Sequence, residues 1–166
     1  MGLFTFIKDA GAKIFGIGKT SSEKKAEEYA REEAKEALED RNAEQHLYSV
    51  LSDLGLEVEN LAININDDVA NVTGLAANQA TREKVVLVIG NSSGIAGVHD
   101  NMEVEIEEPA ATFHTVERGD TLSKIAKRVY GNAMKYPVIF EANRPMLSDP
   151  DKIYPGQVLR IPSLDE

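Results

Sequence analysis

The last fifty residues restrict the fold more than any other part of the chain, because short apolar segments alternate there with turn residues at close intervals. Four segments are predicted, in the order strand, helix, helix, strand: His114–Val116, Leu122–Tyr130, Met134–Asn143 and Gln157–Ile161. Gly119 permits the turn before the first helix, and Asp120 or Thr121 is expected to cap that helix. The pattern predicts a small βααβ domain over residues 113–162.

The preceding region changes from helical to strand periodicity. It predicts a helix closed by Gly55, strands at Leu61–Ile65 and Val69–Thr73 joined by a turn, a helix over Asn78–Ile89 and a strand over Val98–Ile106. This is an αββαβ domain over residues 46–108, which ends on Glu107 and Glu108 and is followed by a Pro/Ala-rich linker at 109–112. We therefore expect an α+β protein with two small domains.

Two segments precede these domains. Residues 1–20 contain apolar side chains at helical spacing and predict an amphipathic helix, which either docks on its own protein, as we expect, or anchors the chain at a membrane surface. Residues 21–45 are predicted to form a charged helical extension, which from Glu23 to Asp40 consists mainly of alanine and charged side chains. A spacer and a partner-binding surface both fit this extension, and no protein partner is indicated.

Charge is distributed unevenly along the chain. The net charge is −10, and residues 113–166 carry eight Lys/Arg against seven Asp/Glu, so the first 112 residues carry −11. An acidic domain argues against nucleic acid as a partner and attracts cations. The chain has no cysteine, no segment long enough to cross a membrane and no recognisable export signal, so we expect a cytoplasmic protein without a membrane partner.

Catalytic motifs are missing from the sequence. Ser92, Ser93 and Ser123 have no obvious histidine partner, and no G-x-S-x-G elbow or phosphate-binding loop is present. The pair Asp67-Asp68 fits a hairpin turn better than a calcium loop, because the EF-hand spacing is absent. We expect a binding protein and not an enzyme.

The C-terminal pattern resembles the LysM family over about fifty residues. The resemblance rests on Thr115-Val-x-x-Gly119-Asp-Thr-Leu122-x-x-Ile125-Ala, Tyr130-Gly-Asn132, Ile139-x-x-Ala142-Asn143 and Ile153-Tyr-Pro-Gly156-Gln-x-Leu159-x-Ile161-Pro162. It implies a βααβ fold and a groove for N-acetylglucosamine polymers formed by Gly119, Asp120, Thr121, Leu122, Ile153, Tyr154 and Pro155. Since no export signal is found, we expect a ligand other than peptidoglycan, and we keep an envelope adaptor that binds this glycan as the alternative.

The preceding domain resembles the BON family. The resemblance rests on Val72-Thr-Gly74, on Gly94-Ile-x-Gly97-Val98 and on the Met102/Val104/Ile106 strand. With the start Met1-Gly-Leu-Phe-x-Phe-x-Lys-Asp-Ala-Gly11, a BON and then a LysM domain, nearly the whole chain is similar to cytoplasmic bacterial potassium-binding proteins. That family holds K⁺ with backbone carbonyls. The matching positions are Ile7, Ala10, Gly90, Ser92 and Ile95, and Ser92 stands where a larger apolar residue is expected.

The residues themselves permit such a site without demanding it. Neutral carbonyl dipoles suit K⁺, whereas clustered carboxylates favour calcium or magnesium. Gly90, Gly94 and Gly97 allow the backbone to bend around an ion, but a helix end and a turn also explain these glycines. A potassium sensor or buffer is thus the leading hypothesis, beside the glycan adaptor and a membrane-associated stress protein that uses the N-terminal helix.

Overall fold

Helix α1 (Ser21–Asp53) carries two kinds of sequence. The computed structural model describes residues 21–164, and its division into two units falls after Leu38. Between residues 21 and 38 nearly every side chain is exposed, as the alanine and charged composition predicts. The predicted amphipathic helix in residues 1–20 lies outside the described residues.

The second half of α1 packs on a sheet. Leu47 and Leu51, one helical turn apart, are 2% and 1% exposed, and they place the apolar face of the helix in the core. Gly55 then ends this segment with a left-handed φ of 66°. The prediction of a core helix closed by this glycine is confirmed.

Three strands form the sheet, in the order β1 (Val58–Asn66), β2 (Val69–Asn78) and β3 (Gly97–Ile106). The two-residue turn at Asp67 and Asp68 makes β1 and β2 antiparallel, whereas β2 and β3 are parallel and are connected through helix α2 (Gln79–Gly90). The Asn78 side chain accepts a hydrogen bond from the Thr81 N–H at 2.8 Å and so caps α2.

The outer edge of β1 is closed by side chains of α1. The Ile63 N–H donates to the Tyr48 hydroxyl at 2.8 Å, and the Ile65 N–H donates to Glu44 Oε1 at 2.8 Å. Because an edge strand otherwise presents unpaired N–H groups, these contacts fix the helix against the sheet and block further strand pairing.

The C-terminal domain has the predicted βααβ order. It consists of β4 (Thr112–Thr115), α3 (Leu122–Tyr130), a 3₁₀ turn (Ala133–Lys135), α4 (Tyr136–Ala142) and β5 (Val158–Ile161), with β4 and β5 antiparallel. Thr121, and not Asp120, caps α3 by accepting from the Lys124 N–H at 3.2 Å. The predicted second helix is divided into the 3₁₀ turn and α4.

Each domain has its own hydrophobic core. One contains Leu51, Ile63, Val72 and Ile89, the other Ile125, Ile139 and Leu159, and the half-buried Met146 packs against both. The expectation of an α+β protein with two small domains is confirmed.

Gly74 provides a test of the sheet. It adopts a φ of +145° opposite a β-bulge, and a Cβ placed there would lie 2.6 Å from Val58 Cγ1 and 3.0 Å from the Glu59 carbonyl oxygen. We expect Gly74→Ala to lower the free energy of unfolding by about 3 kcal/mol, from backbone strain and overpacking together. Urea denaturation measures the change.

The matched control is Gly55→Ala. Gly55 also has a positive φ, but a Cβ there would meet nothing within 4 Å. Its substitution should cost only about 1 kcal/mol, the ordinary penalty of the left-handed conformation. Equal losses for the two variants would contradict the close approach of β2 to the bulge.

Candidate functional site

One face of α2 contacts the βααβ domain. Positions four residues apart lie on the same side of a helix. Three such positions are Glu83 and Leu87 within α2 and Asn91 at its C-cap. Leu87 is buried and lies in a narrow crevice with Asn143 and Met146 of the other domain. We call Glu83, Leu87 and Asn91 the interdomain stripe of α2.

Glu83 is the charged member of the interdomain stripe, and it is buried. Its Oε2 accepts from Arg160 Nε of β5 at 2.5 Å, and both side chains are 5% exposed. Its Oε1 accepts from Gln79 Nε2 at 2.8 Å and from the Ala111 N–H at 2.9 Å. One carboxylate therefore joins α2, the interdomain linker and β5, and these hydrogen bonds compensate the cost of its burial.

Asn91 is the polar member at the end of the interdomain stripe. Its Nδ2 donates to the Val158 carbonyl at 2.9 Å, and its Oδ1 accepts from the Val158 N–H at 2.8 Å. A side-chain amide has one donor side and one acceptor side, so it pairs with both backbone groups of a strand residue as a neighbouring strand would.

A second asparagine repeats this arrangement from within the βααβ domain. The Asn143 side chain donates to the Arg160 carbonyl at 2.8 Å and accepts from the Arg160 N–H at 2.7 Å. Val158 and Arg160 are two residues apart, so their backbone groups face the same way, while β4 pairs along the opposite edge of β5. The outer edge of β5 is thus closed by two asparagine amides, one from each domain.

The loop after α2, residues 91–97, is anchored at both of its ends. At its start, the Asn91 N–H donates to the Leu87 carbonyl at 2.9 Å. At its end, the Ala96 N–H donates to the Asp68 carbonyl at 2.7 Å, which ties the loop to the β1–β2 turn. Together with the Asn91 contact to Val158, these bonds hold the loop to α2, to the sheet and to β5.

The sequence-predicted ion ligands of this region lie at or within the loop. Gly90 is the last residue of α2, Ser92 follows Asn91, and the half-buried Ile95 packs against the core of the αββαβ domain. The Ser92 hydroxyl donates to the Val88 carbonyl at 2.7 Å, and the Ser92 carbonyl accepts from the Ile95 N–H at 3.3 Å. Ile7 and Ala10 lie outside the described residues.

Sequence reasoning missed Glu83, Asn91, Asn143 and Arg160 as interacting residues. One of them carried a signal, because Arg160 lies between two core residues of a short strand. A charge at such a position indicates a buried partner. Asn91 carried none, since an asparagine after a helix is an ordinary cap residue.

The predicted glycan-groove residues lie in two neighbouring loops. The Val116 N–H donates to the Gln157 carbonyl and the Gly156 N–H donates to the Val116 carbonyl, both at 2.8 Å. These two hydrogen bonds join the start of the segment after β4 to the end of the segment before β5. The residues differ in exposure: Gly119, Thr121, Tyr154 and Pro155 are exposed, Asp120 and Ile153 are half-buried, and Leu122 is buried.

Asp120 has a structural task within this region. Its carboxylate accepts from His114 Nε2 at 2.9 Å, from the Glu117 N–H at 3.0 Å and from the Arg128 guanidinium at 2.8 Å. The His114 hydrogen bond, followed by that of Glu117, lowers the pKa of Asp120 to about 2, with Arg128 contributing and burial opposing the shift. The carboxylate thus holds the loop to β4 and α3.

Within residues 21–164, no group of three or more His, Asp or Glu side chains is arranged to hold a metal ion. In the same range, no helix is long and apolar enough to cross a membrane.

The βααβ geometry and its turn residues define a LysM domain. The LysM domain family model matches residues 114–162, a range that begins within β4 and ends one residue after β5.

The whole chain has a close relative. It is 44% identical over 163 residues to the potassium binding protein Kbp of Escherichia coli O6:H1, and the match covers 98% of this chain and 99% of that protein. The chain belongs to the family of this potassium binding protein.

Two other relatives share only a segment. An uncharacterized protein of Deinococcus radiodurans is 50% identical over 56 residues, which are 34% of this chain and 21% of that protein. Esterase Rv1288 of Mycobacterium tuberculosis is 43% identical over 75 residues, which are 45% of this chain but only 16% of the esterase.

The lowered pKa of Asp120 predicts a pH dependence. A carboxyl group whose pKa is about 2 when folded and 3.8 ordinarily stabilises the fold above pH 4, and this contribution is lost as the pH falls towards 2. We expect Asp120→Asn to be less stable than the wild type at pH 6, and the difference to shrink between pH 4 and pH 2. Urea denaturation across this range measures it.

Asp151→Asn is the matched control. Asp151 is an exposed aspartate of the same domain, so its substitution removes the same charge without removing the contacts to His114 and Arg128. A stability difference for Asp120→Asn that stays constant from pH 6 to pH 2 would contradict the role of its carboxylate.

Proposed function

We propose that the protein binds K⁺ in the cytoplasm as a sensor or buffer, without catalysing a reaction. The backbone carbonyls of Ile7, Ala10, Gly90, Ser92 and Ile95 hold the ion. The observation that carries this proposal is the similarity to the potassium binding protein Kbp, which extends over 98% of the chain and includes both domains.

The end of α2 offers a suitable electrostatic environment. The C-terminus of a helix carries a partial negative charge from its last carbonyl groups, and Gly90, Ser92 and Ile95 lie at or just beyond that end. Carbonyl dipoles replace the water shell of a large, weakly hydrated cation without the strong field of clustered carboxylates. This chemistry favours K⁺ over divalent ions.

The anchored loop supports binding through preorganisation. Its first and last segments are held by the Leu87 and Asp68 carbonyls, and Asn91 attaches it to β5. Because the backbone is already ordered, less conformational entropy is lost when the ion binds. The LysM domain in this proposal packs on the ion-binding domain and stabilises the bound form.

A thermal melt tests the proposal. A ligand that binds only the folded state at a hundredfold excess over its Kd adds about 2.7 kcal/mol, so K⁺ should raise the melting temperature by about 5–10 °C. The comparison is between potassium, sodium and choline chlorides at equal ionic strength, which separates specific binding from charge screening. Equal melting temperatures in all three salts contradict K⁺ binding.

The LysM domain supports a second candidate, an envelope adaptor that binds peptidoglycan. The supporting observation is Tyr154, which is 49% exposed in the segment before β5 and offers an aromatic face to a sugar. Against it, Leu122 is buried and the Asp120 carboxylate is occupied by His114 and Arg128. Two of the seven predicted groove residues therefore maintain the fold.

Co-sedimentation with insoluble peptidoglycan separates the candidates. We expect the protein to stay in the supernatant, because the exposed part of the groove offers a single aromatic side chain. Retention that Tyr154→Ala removes would establish the second candidate. Tyr29→Ala is the matched control, since Tyr29 is an exposed tyrosine of α1 far from the LysM domain in sequence.

A further inference from the structure

We propose that Asn91 is a positioning residue for the ion: its side-chain amide, by pairing with Val158 of β5, fixes the carbonyl of Gly90. The inference rests on the proposed function, because it assigns a role within the K⁺ site. The side chain of Asn91 lies in the contact between the domains, and its backbone stands between Gly90 and Ser92, two of the proposed ligands.

The direction of the Gly90 carbonyl is set by its peptide plane. This carbonyl and the Asn91 N–H share one trans peptide, so the two groups point in opposite directions. The Asn91 N–H donates back into the helix, to the Leu87 carbonyl at 2.9 Å. The Gly90 carbonyl therefore points away from α2, beyond the end of the helix.

The same reasoning orients the other end of the loop. The Ala96 N–H donates to the Asp68 carbonyl at 2.7 Å, so the Ile95 carbonyl in that peptide plane points away from Asp68. The orientations of two proposed ligand carbonyls thus depend on hydrogen bonds made by the residues that follow them.

The Asn91 side chain adds a constraint that the loop backbone lacks. Its two hydrogen bonds to Val158, at 2.9 and 2.8 Å, restrain the position of its Cα, and the peptide group that precedes this Cα carries the Gly90 carbonyl. A rotation of this residue would turn the Gly90 carbonyl and break both bonds. The ligand geometry and the attachment to β5 are therefore coupled.

The second link between α2 and β5 provides a comparison. Glu83 contacts Arg160 eight residues before Asn91, so it joins the same two elements without adjoining a proposed ligand. If domain attachment alone governs K⁺ affinity, weakening either link should have a similar effect. If Asn91 positions the Gly90 carbonyl, its substitution should reduce affinity more.

The experiment measures the Kd for K⁺ by isothermal titration calorimetry on the full chain, at a temperature where circular dichroism shows each variant folded. Asn91→Ala should raise the Kd at least tenfold, whereas Glu83→Gln should lower stability and change the Kd less than threefold. Ser93→Ala, an exposed substitution in the same loop, should leave the Kd unchanged.

Asn91→Asp is the second variant, and it distinguishes positioning from charge. An aspartate can still accept from the Val158 N–H but cannot donate to the Val158 carbonyl, and it brings a negative charge close to the ion. Electrostatic attraction alone would tighten K⁺ binding, whereas loss of positioning weakens it. We expect a higher Kd, and this variant also serves if Asn91→Ala does not fold.

A spectroscopic readout checks the coupling directly. In the wild type, K⁺ should shift the amide resonance of Val158 and slow its hydrogen exchange, and neither effect should occur in Asn91→Ala. A wild type that responds to K⁺, with both Asn91 variants binding as tightly, overturns the positioning role alone. A wild type with no response to K⁺ overturns the proposed function and the positioning role together.

Discussion

The open edges of two small sheets are the constraint on which the structure depends. A two-stranded and a three-stranded sheet leave unpaired N–H and carbonyl groups on their outer strands, and these groups require partners when they are covered. β1 receives them from Glu44 and Tyr48, and β5 from Asn91 and Asn143. Side chains therefore take the place of missing strands in both domains, and each contact fixes the element that carries the side chain. At β5, one of the two side chains, that of Asn91, belongs to the other domain.

This arrangement changes the meaning of the LysM domain. Its β5 edge and Arg160 are engaged by the interdomain stripe of α2, and Asp120, in the region that the family resemblance assigns to a sugar groove, holds a loop together. Similarity over 98% of the chain to the potassium binding protein Kbp places both domains in one family architecture. The domain is best understood as an internal partner, attached beside the loop in which the proposed ion ligands lie.

The elements were predictable because they depend on local patterns. The change of period after Gly55, the helical pattern from Asn78 to Ile89 and the turn at Asp67-Asp68 identified the helices and strands to within a few residues. Interactions across 67 or 77 residues, such as Asn91 with Val158 and Glu83 with Arg160, left little trace in local patterns. Asp120 and Thr121 were equivalent as caps until His114 and Arg128 were placed around the former. The proposed ligands were reached through resemblance, since any residue supplies a carbonyl.

The contact between Glu83 and Ala111 has a consequence for motion between the domains. Domains joined by a short linker commonly reorient by bending it. Here the linker residue Ala111 donates to the same buried carboxylate that binds Arg160, so bending of the linker at this point would break a buried hydrogen bond. Withdrawal of β5 would in turn deprive a buried charge of its cationic partner. Bending of the linker and withdrawal of β5 are thus opposed by one side chain, that of Glu83.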